Sequence, residues 1–434
     1  MRVRPTPLLA VLASLMAATA VTAQVSLKDL PELARQRAER LRPRQIAALE
    51  PFWADFALDY RHNASVIDDS VEKAAQLGDS VVPLLLEKLQ PAQGGSVSRN
   101  LAANCGRVLR RMDPGSFVDA LAEMARGKHP IGRTEAIKLL GYADVPQAAT
   151  VLADLLDVVD ESDRTMIILA LRNLGAPQAA PKIVKLLGAN DRRLRENVLR
   201  YLVAARADAV ADTVVQALTT ESEDRNLPYY IDYFRVCVKN HIGATTALLP
   251  LLSRERIDFQ DTKNLVIALA TVSPKGHGAT LRKLAELIDN SEAGSLEVQA
   301  AVTMRTLGDK SGVTRLNRQL DDKIRKRKRE AGLYEQRASL LFAIGEYSKA
   351  HSDYDKILEY SEGAAMTRRA FEGLLRCSAR RKKIQTMIRE MKTSGMSPEE
   401  FQNLAAKDEV FKQALTHDRT KSFMRQLIKD RRPK

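Results

Sequence analysis

LLGYADVPQAATVLADLLD (residues 139–157), LRNLGAPQAAPKIVKLLG (171–188) and LRYLVAARADAVADTVVQAL (199–218) are three copies of one phrase. In each, a helical stretch ends at or near Leu-Gly, a short turn follows, and a second apolar helix begins. Taking Leu77, Met112, Leu140, Leu174, Leu202, Val238, Val272 and Leu307 as equivalent, the intervals are 35, 28, 34, 28, 36, 34 and 35 residues. A recurring period in this range marks a stacked helical solenoid. One such unit cannot bury its own apolar face. Neighbouring units must stack to build a continuous core, which leaves a long ridged surface open to partners.

The second helix of each copy carries apolar residues at spacings of three and four: Val82, Leu85, Leu86 and Leu89, then Val151, Leu152, Leu155 and Leu156, then Ile183, Val184 and Leu187. A stripe of this kind is a core face. Gly78, Gly141, Gly175 and Gly308 fall where the first helix must stop, and each is read as a left-handed terminator. Pro146, Pro177 and Pro181 fall at or after these turns, where a missing N–H is tolerated. No segment alternates as a strand would. The pattern resembles HEAT-like repeats of the short bacterial kind over roughly 250 residues. That resemblance implies an all-α, right-handed α-solenoid of about eight repeats over 65–322, serving as an interaction scaffold.

Upstream of the repeats, residues 1–23 have Arg2 and Arg4, an apolar run from Leu8 to Ala18, and Val21-Thr22-Ala23 before Gln24. This is the layout of a bacterial secretory signal peptide. The apolar run is shorter than the ~20 residues a membrane span needs. Export to the periplasm or cell envelope is therefore expected, with an uncleaved N-terminal anchor as the alternative. Residues 24–64 read as a lead-in and a capping helix, with Phe52, Trp53, Phe56 and Tyr60 at helical spacing to close the end of the core. The three cysteines, Cys105, Cys237 and Cys377, are more than 100 residues apart and sit in apolar helical patterns, so they are read as buried thiols.

Charge separates the two ends of the chain. Residues 24–314 hold 37 basic and 37 acidic side chains, whereas 315–434 hold 29 basic and 17 acidic, a balance of +12 within the +14 of the whole. An asymmetry of this size points to different surfaces. Its densest point is Lys-Ile-Arg-Lys-Arg-Lys-Arg at 323–329, the centre of a basic linker at 323–332. Beyond it, LYEQRASLLFAIGEYSKAHSDYDKILEY (333–360) places Tyr334, Ala338, Leu341, Gly345, Tyr347, Ala350, Tyr354 and Ile357 where a tetratricopeptide repeat (TPR) places its packing residues. It resembles that family except at Arg337, where the family has Leu, and at Ile357, where it has Ala. The tail LAAKDEVFKQALTHDRTKSFMRQL (404–427) resembles the segment that closes many bacterial TPR arrays. Residues 333–434 are accordingly expected to be a TPR-like segment with closing helices.

No catalytic constellation stands out. A glycine-rich phosphate loop, GxSxG and HExxH are missing, and the six histidines (His62, His129, His241, His277, His351, His417) are scattered. Asp68-Asp69 and Asp321-Asp322 are adjacent pairs. Helical neighbours point about 100° apart, so they are read as solvated charges and not as an acid–base pair. No cofactor, metal or small-molecule substrate is indicated. The competing enzyme class is the lyase group that attaches pigment to light-harvesting proteins, since similar repeats occur there.

The expected function is a non-enzymatic envelope scaffold that binds a protein or peptide on the surface lined by second helices. Candidates there are Glu87, Lys88, Asp154, Lys182, Lys185, Gln216, Arg282, Lys283, Arg315 and Arg318, with Glu335 and Ser339 on the TPR-like first helix. The cluster Lys323, Arg325, Lys326, Arg327, Lys328 and Arg329 admits three readings: a solvated linker, a site for an anionic membrane surface or polyanion, and a nucleic-acid contact. The last is disfavoured because no aromatic residues interleave the charges. The runs Arg380, Arg381, Lys382, Lys383 and 429–434 are read as widening this basic surface.

Overall fold

Helix accounts for 81% of the described residues and no strand occurs among them, so every core contact is helix against helix. The computed structural model describes residues 43–430, apart from 45, 91–94, 255–256 and 291–293. The expected signal segment and most of the lead-in lie outside the described residues. No helix among those described is long and apolar enough to cross a membrane. The helices cluster into two compact units, Met1–Cys237 and Val238–Lys434.

In the first unit the order is α1 (Trp53–Phe56), α2 (Tyr60–Ala75), α3 (Val82–Lys88), α4 (Ser96–Arg111), α5 (Val118–Arg126), α6 (Pro130–Leu140), α7 (Pro146–Leu155), α8 (Glu161–Leu174), α9 (Ala180–Ile183), α10 (Arg192–Ala204), α11 (Ala211–Thr220) and α12 (Leu227–Cys237). The even-numbered helices α2 to α12, the first helices of successive repeats, each pack on the next. Among the second helices, α5 packs on α7, and α7 on the turn that leads into α9. Two layers result. Polar ties follow both: Arg111 reaches Glu72 at 2.6 Å, Arg133 reaches Asp163 at 2.9 Å, and Lys182 reaches Asp154 and Asp157 at 3.0 Å. Exposed pairs contribute up to about 1 kcal/mol each. The apolar seam between the layers carries the stability.

The repeat turn is built in two ways. Gly175 and Gly308 adopt left-handed φ values of 59° and 98°, as expected of helix terminators. Arg206 and Asn240 take the same conformation without glycine, each at φ 49°. Gly141 departs from the expectation: its φ is −67°, an ordinary helical value. A Cβ there would lie 2.7 Å from the Ala170 Cα and 2.8 Å from its Cβ, so glycine is needed to let α6 and α8 approach. Buried tyrosines then stitch one repeat to the turn of the repeat before it. The Tyr201 hydroxyl donates to the Ala176 carbonyl at 2.5 Å, and Tyr233 to Ala207 at 2.7 Å. A buried phenol needs an acceptor, and the turn supplies one. The expected aromatic cap is centred on Phe56, fully buried against the rings of Phe52 and Trp53.

The second unit runs α13 (Ile242–Leu248), α14 (Phe259–Val272), α15 (Gly278–Asn290), α16 (Gly294–Thr306), α17 (Ser311–Lys326), α18 (Ala331–Ala343), α19 (Tyr347–Tyr360), α20 (Ala364–Arg380), α21 (Ile384–Thr393), α22 (Pro398–Lys407), α23 (Glu409–Leu415) and α24 (Asp418–Asp430). One hydrophobic core extends from Val266 on α14 to Cys377 on α20. The segment read as TPR-like therefore shares its core with the helices before the basic cluster. Ala338 and Ala350 are fully buried where α18 packs on α19, and the Tyr354 ring lies directly over Gly373. A second cluster, around Met387, Phe401, Phe411 and Met424, ties α20 to α24. The residues read as a basic linker are the last turn of α17 and the short turn into α18.

Candidate functional site

Helix α17 has a mostly polar surface around one narrow buried stripe. Leu316, Leu320 and Ile324, four residues apart, face the core and leave most of the circumference to solvent. Its N-terminus is closed by Asp309, whose carboxylate accepts from the Ser311 amide at 2.8 Å. Lys323, Arg325 and Lys326 occupy the last turn, where cations complement the helix dipole. The following turn is fixed: the Glu330 amide donates to the Arg327 carbonyl at 3.1 Å, and the Tyr334 hydroxyl donates to the Lys328 carbonyl at 3.0 Å. Tyr334 is buried against Tyr360, so the basic turn is anchored to the hairpin behind it.

All six cations of the cluster, Lys323, Arg325, Lys326, Arg327, Lys328 and Arg329, are exposed. Two of them hold carboxylates: Arg325 pairs with Asp322, and Arg327 with Glu330 at 3.2 Å. Lys323, Lys326, Lys328 and Arg329 form no ion pair with any described residue, and neither does Arg318 one turn back. An open groove of about 530 Å³ runs along the same helix, lined by Ser311, Thr314, Arg315, Arg318, Gln319 and Asp322. Arg315 bonds Asp289 on the neighbouring second helix α15 at 2.6 Å, and Gln319 bonds the same carboxylate at 3.3 Å. From residue 311 to 330 there are eight basic and three acidic side chains. Of the three, Asp321 is turned away to Arg337 at 2.6 Å.

Several residues differ from their sequence reading. Asp321 is not merely a solvated charge: Arg337 bridges it to Asp353, gripping the Asp353 carboxylate through two nitrogens at 2.8 and 2.6 Å. The Asp353 hydrogen bonds raise the Arg337 pKa above its ordinary value despite burial, so Arg337 is a fixed cation. This accounts for the arginine where a TPR has leucine. Arg380 is not part of a free basic surface either; with Arg376 it holds the buried Asp408, at 3.3 and 2.8 Å. Burial alone would raise the Asp408 carboxyl. Arg376, the Phe411 amide and Arg380 outweigh it and hold the group below the usual carboxylate range.

The other second-helix candidates are mostly engaged with neighbours. Lys182 joins Asp154 and Asp157, Lys283 joins Glu286 at 2.8 Å, and Lys88 lies over the Trp53 ring; Glu335, the first-helix candidate, joins Arg369 at 2.6 Å. Glu87, Lys185 and Gln216 belong to the first unit, and Arg282, in the second, does not line the α17 groove.

Three of the scattered histidines share a role that their spacing did not reveal. His129 and His241 accept from the Gly132 and Ala244 amides at 3.1 Å, and His277 accepts from the Thr280 amide at 3.4 Å, each just before a helix. His351 differs. Its Nε2 meets Glu390 at 2.6 Å and its Nδ1 meets Asp355 at 3.1 Å, while Ser378 donates to the same Glu390 oxygen at 3.1 Å. The hydrogen bond to Glu390 raises the His351 pKa against the opposing effect of burial. The three cysteines are unpaired thiols; Cys105 and Cys377 are buried, whereas Cys237 is only half-buried, and burial pushes Cys237 up to about 11 and Cys377 up to about 12. No group of three or more His, Cys, Asp or Glu side chains among the described residues is placed to hold a metal ion. Set against known proteins, the chain matches no family model and no curated protein.

Proposed function

We propose that this chain is a non-enzymatic interaction scaffold of the bacterial envelope, built of about eight HEAT-like repeats that wind with a right hand and end in a TPR-like segment. On this reading a protein or peptide client lies across the surface made by the second helices. The observation that carries the reading is the two-layer arrangement. Within each unit first helices stack on first helices, while α17 of the second-helix layer presents an open groove of about 530 Å³ lined by polar residues. Stacked repeats of this kind expose extended binding surfaces. The test is crosslinking mass spectrometry of the full chain in an envelope fraction. Reproducible links from one protein to second-helix lysines such as Lys185, Lys283 and Lys326 are expected. Links spread evenly over first and second helices, or none to any protein, defeat the proposal.

The exposed cluster from Lys323 to Arg329 favours a second reading. In it, the chain is an envelope-associated structural protein held at an anionic surface by its basic segment. Long-range attraction of this sort needs no shaped site and is screened within about 10 Å at 0.1 M salt. Retention on anionic vesicles at low salt, lost at high salt with no client crosslink, is its signature.

A further inference from the structure

The cations along α17 exceed what the helix itself requires. Lys323, Arg325 and Lys326 sit in the last turn, where they offset the dipole, and need no ligand to explain them. Arg315 and Arg318 lie in the first half of the same helix, where the dipole gives cations no advantage. Lys328 and Arg329 lie beyond the helix, in a turn held rigid by the Tyr334 hydroxyl. Within α17, Arg315, Arg318, Asp322 and Arg325 follow one another at steps of three and four on one side of the helix. Asp289 and Asp322 offset part of the charge: Asp322 lines the groove and pairs with Arg325, and Asp289 pairs with Arg315.

We propose that this groove docks an acidic peptide segment of the client, read by Arg315 and Arg318 in the groove and by Lys323, Lys326, Lys328 and Arg329 at its open end. The proposal rests on the scaffold reading and deepens it by naming the chemistry of the partner. Arginine presents a planar fork that matches a carboxylate, and two arginines one turn apart match carboxylates at the same spacing on an extended or helical peptide. A client that carries a carboxylate for Arg315, which lines the groove, competes with Asp289 for its guanidinium.

Other occupants fit less well. The large apolar side chains exposed among the described residues, such as Phe259 and Ile428, include none on α17 or its turn that could enter lipid. A single-stranded nucleic acid needs rings to stack its bases. The nearest tyrosine, Tyr334, is buried and turned inward.

The test uses the full chain and a fluorescently labelled glutamate-rich peptide, with binding followed by anisotropy over a salt series. Arg318→Glu combined with Lys326→Glu is compared with Lys421→Glu combined with Lys429→Glu, which makes the same change in net charge on the exposed surface of α24. The groove variant is expected to bind at least about tenfold more weakly while the α24 variant keeps wild-type affinity, since losing a recognising charge affects one site only. All four substituted residues are exposed, so the thermal melts should coincide, and they verify that both variants fold. Equal loss in the two variants overturns the proposal in favour of unspecific attraction. Binding to phosphatidylglycerol vesicles, with none to the peptide, overturns it in favour of a membrane surface. If the peptide fails while crosslinks still map a protein client to second helices elsewhere, the docking site is wrong and the scaffold reading stands.

Discussion

Asp408 shows how much one side chain can hold. Its carboxylate accepts from the Val410 and Phe411 amides at 3.0 and 3.1 Å, which caps α23, and it also binds Arg376 and Arg380. Asp408→Asn keeps an oxygen for the cap and removes the charge; Asp408→Ala removes both. Both should lower the urea midpoint, and Ala should lie below Asn by about 1 kcal/mol, the usual worth of an N-cap. Arg337 allows a sharper test. Arg337→Leu supplies the residue that the TPR resemblance expects yet leaves Asp353, whose side chain is 6% exposed, without its counter-charge. A loss of roughly 3–5 kcal/mol is expected, as for other broken buried pairs, with most of it recovered when Asp353→Leu is added. A single variant as stable as wild type sinks this account. Gly141→Ala drives a methyl into the Ala170 backbone and should cost about 1–3 kcal/mol in equilibrium unfolding, although alanine is the better helix former.

At the scale of elements, the contacts that matter join helices distant in sequence. His351 on α19 is linked to Glu390 on α21, with Ser378 of α20 on the same oxygen and Arg381 opposing from just beyond α20. Because the folded pKa of His351 is raised, the charged imidazole stabilises the fold fully below its unfolded pKa of about 6.5. That contribution is lost as pH rises through the folded value. The melting temperature of the wild type should therefore fall from near neutral pH upward more steeply than that of His351→Gln, and parallel pH profiles would remove His351 from the account. The sequence told little of this. Period and apolar spacing made the helices, their pairing and the buried Ala338 and Ala350 legible, because burial leaves a repeating mark. The Asp353–Arg337–Asp321 bridge and the Asp408 clamp join polar residues 16 to 32 positions apart, with no periodic mark to announce them. Gly141 was misread because an end-of-helix glycine looks the same whether it serves a left-handed turn or a close approach. The six cations of 323–329 were legible as a cluster. The groove that continues them was half seen: Arg315 and Arg318 stood out as second-helix residues, but their union with the cluster depends on how α17 is rotated about its buried stripe.

On the scale of the whole molecule, each unit is a stack in which a helix touches mainly those just before and after it. Stability in such stacks is close to a sum of neighbour terms, so local openings are expected at the ends and turns before the interior. In native-state hydrogen exchange, amides of α14, α16 and α18 should be protected longest in the second unit and those of α24 least, a gradient that uniform exchange would contradict. The core running from Val266 to Cys377 carries a further implication. A single apolar seam runs past the basic turn, with Leu316, Leu320 and Ile324 on one side of it and Leu333, Tyr334 and Ala338 on the other. Neither half could be transplanted as a cassette cut at that turn, since each would carry away an oily face with nothing to cover it.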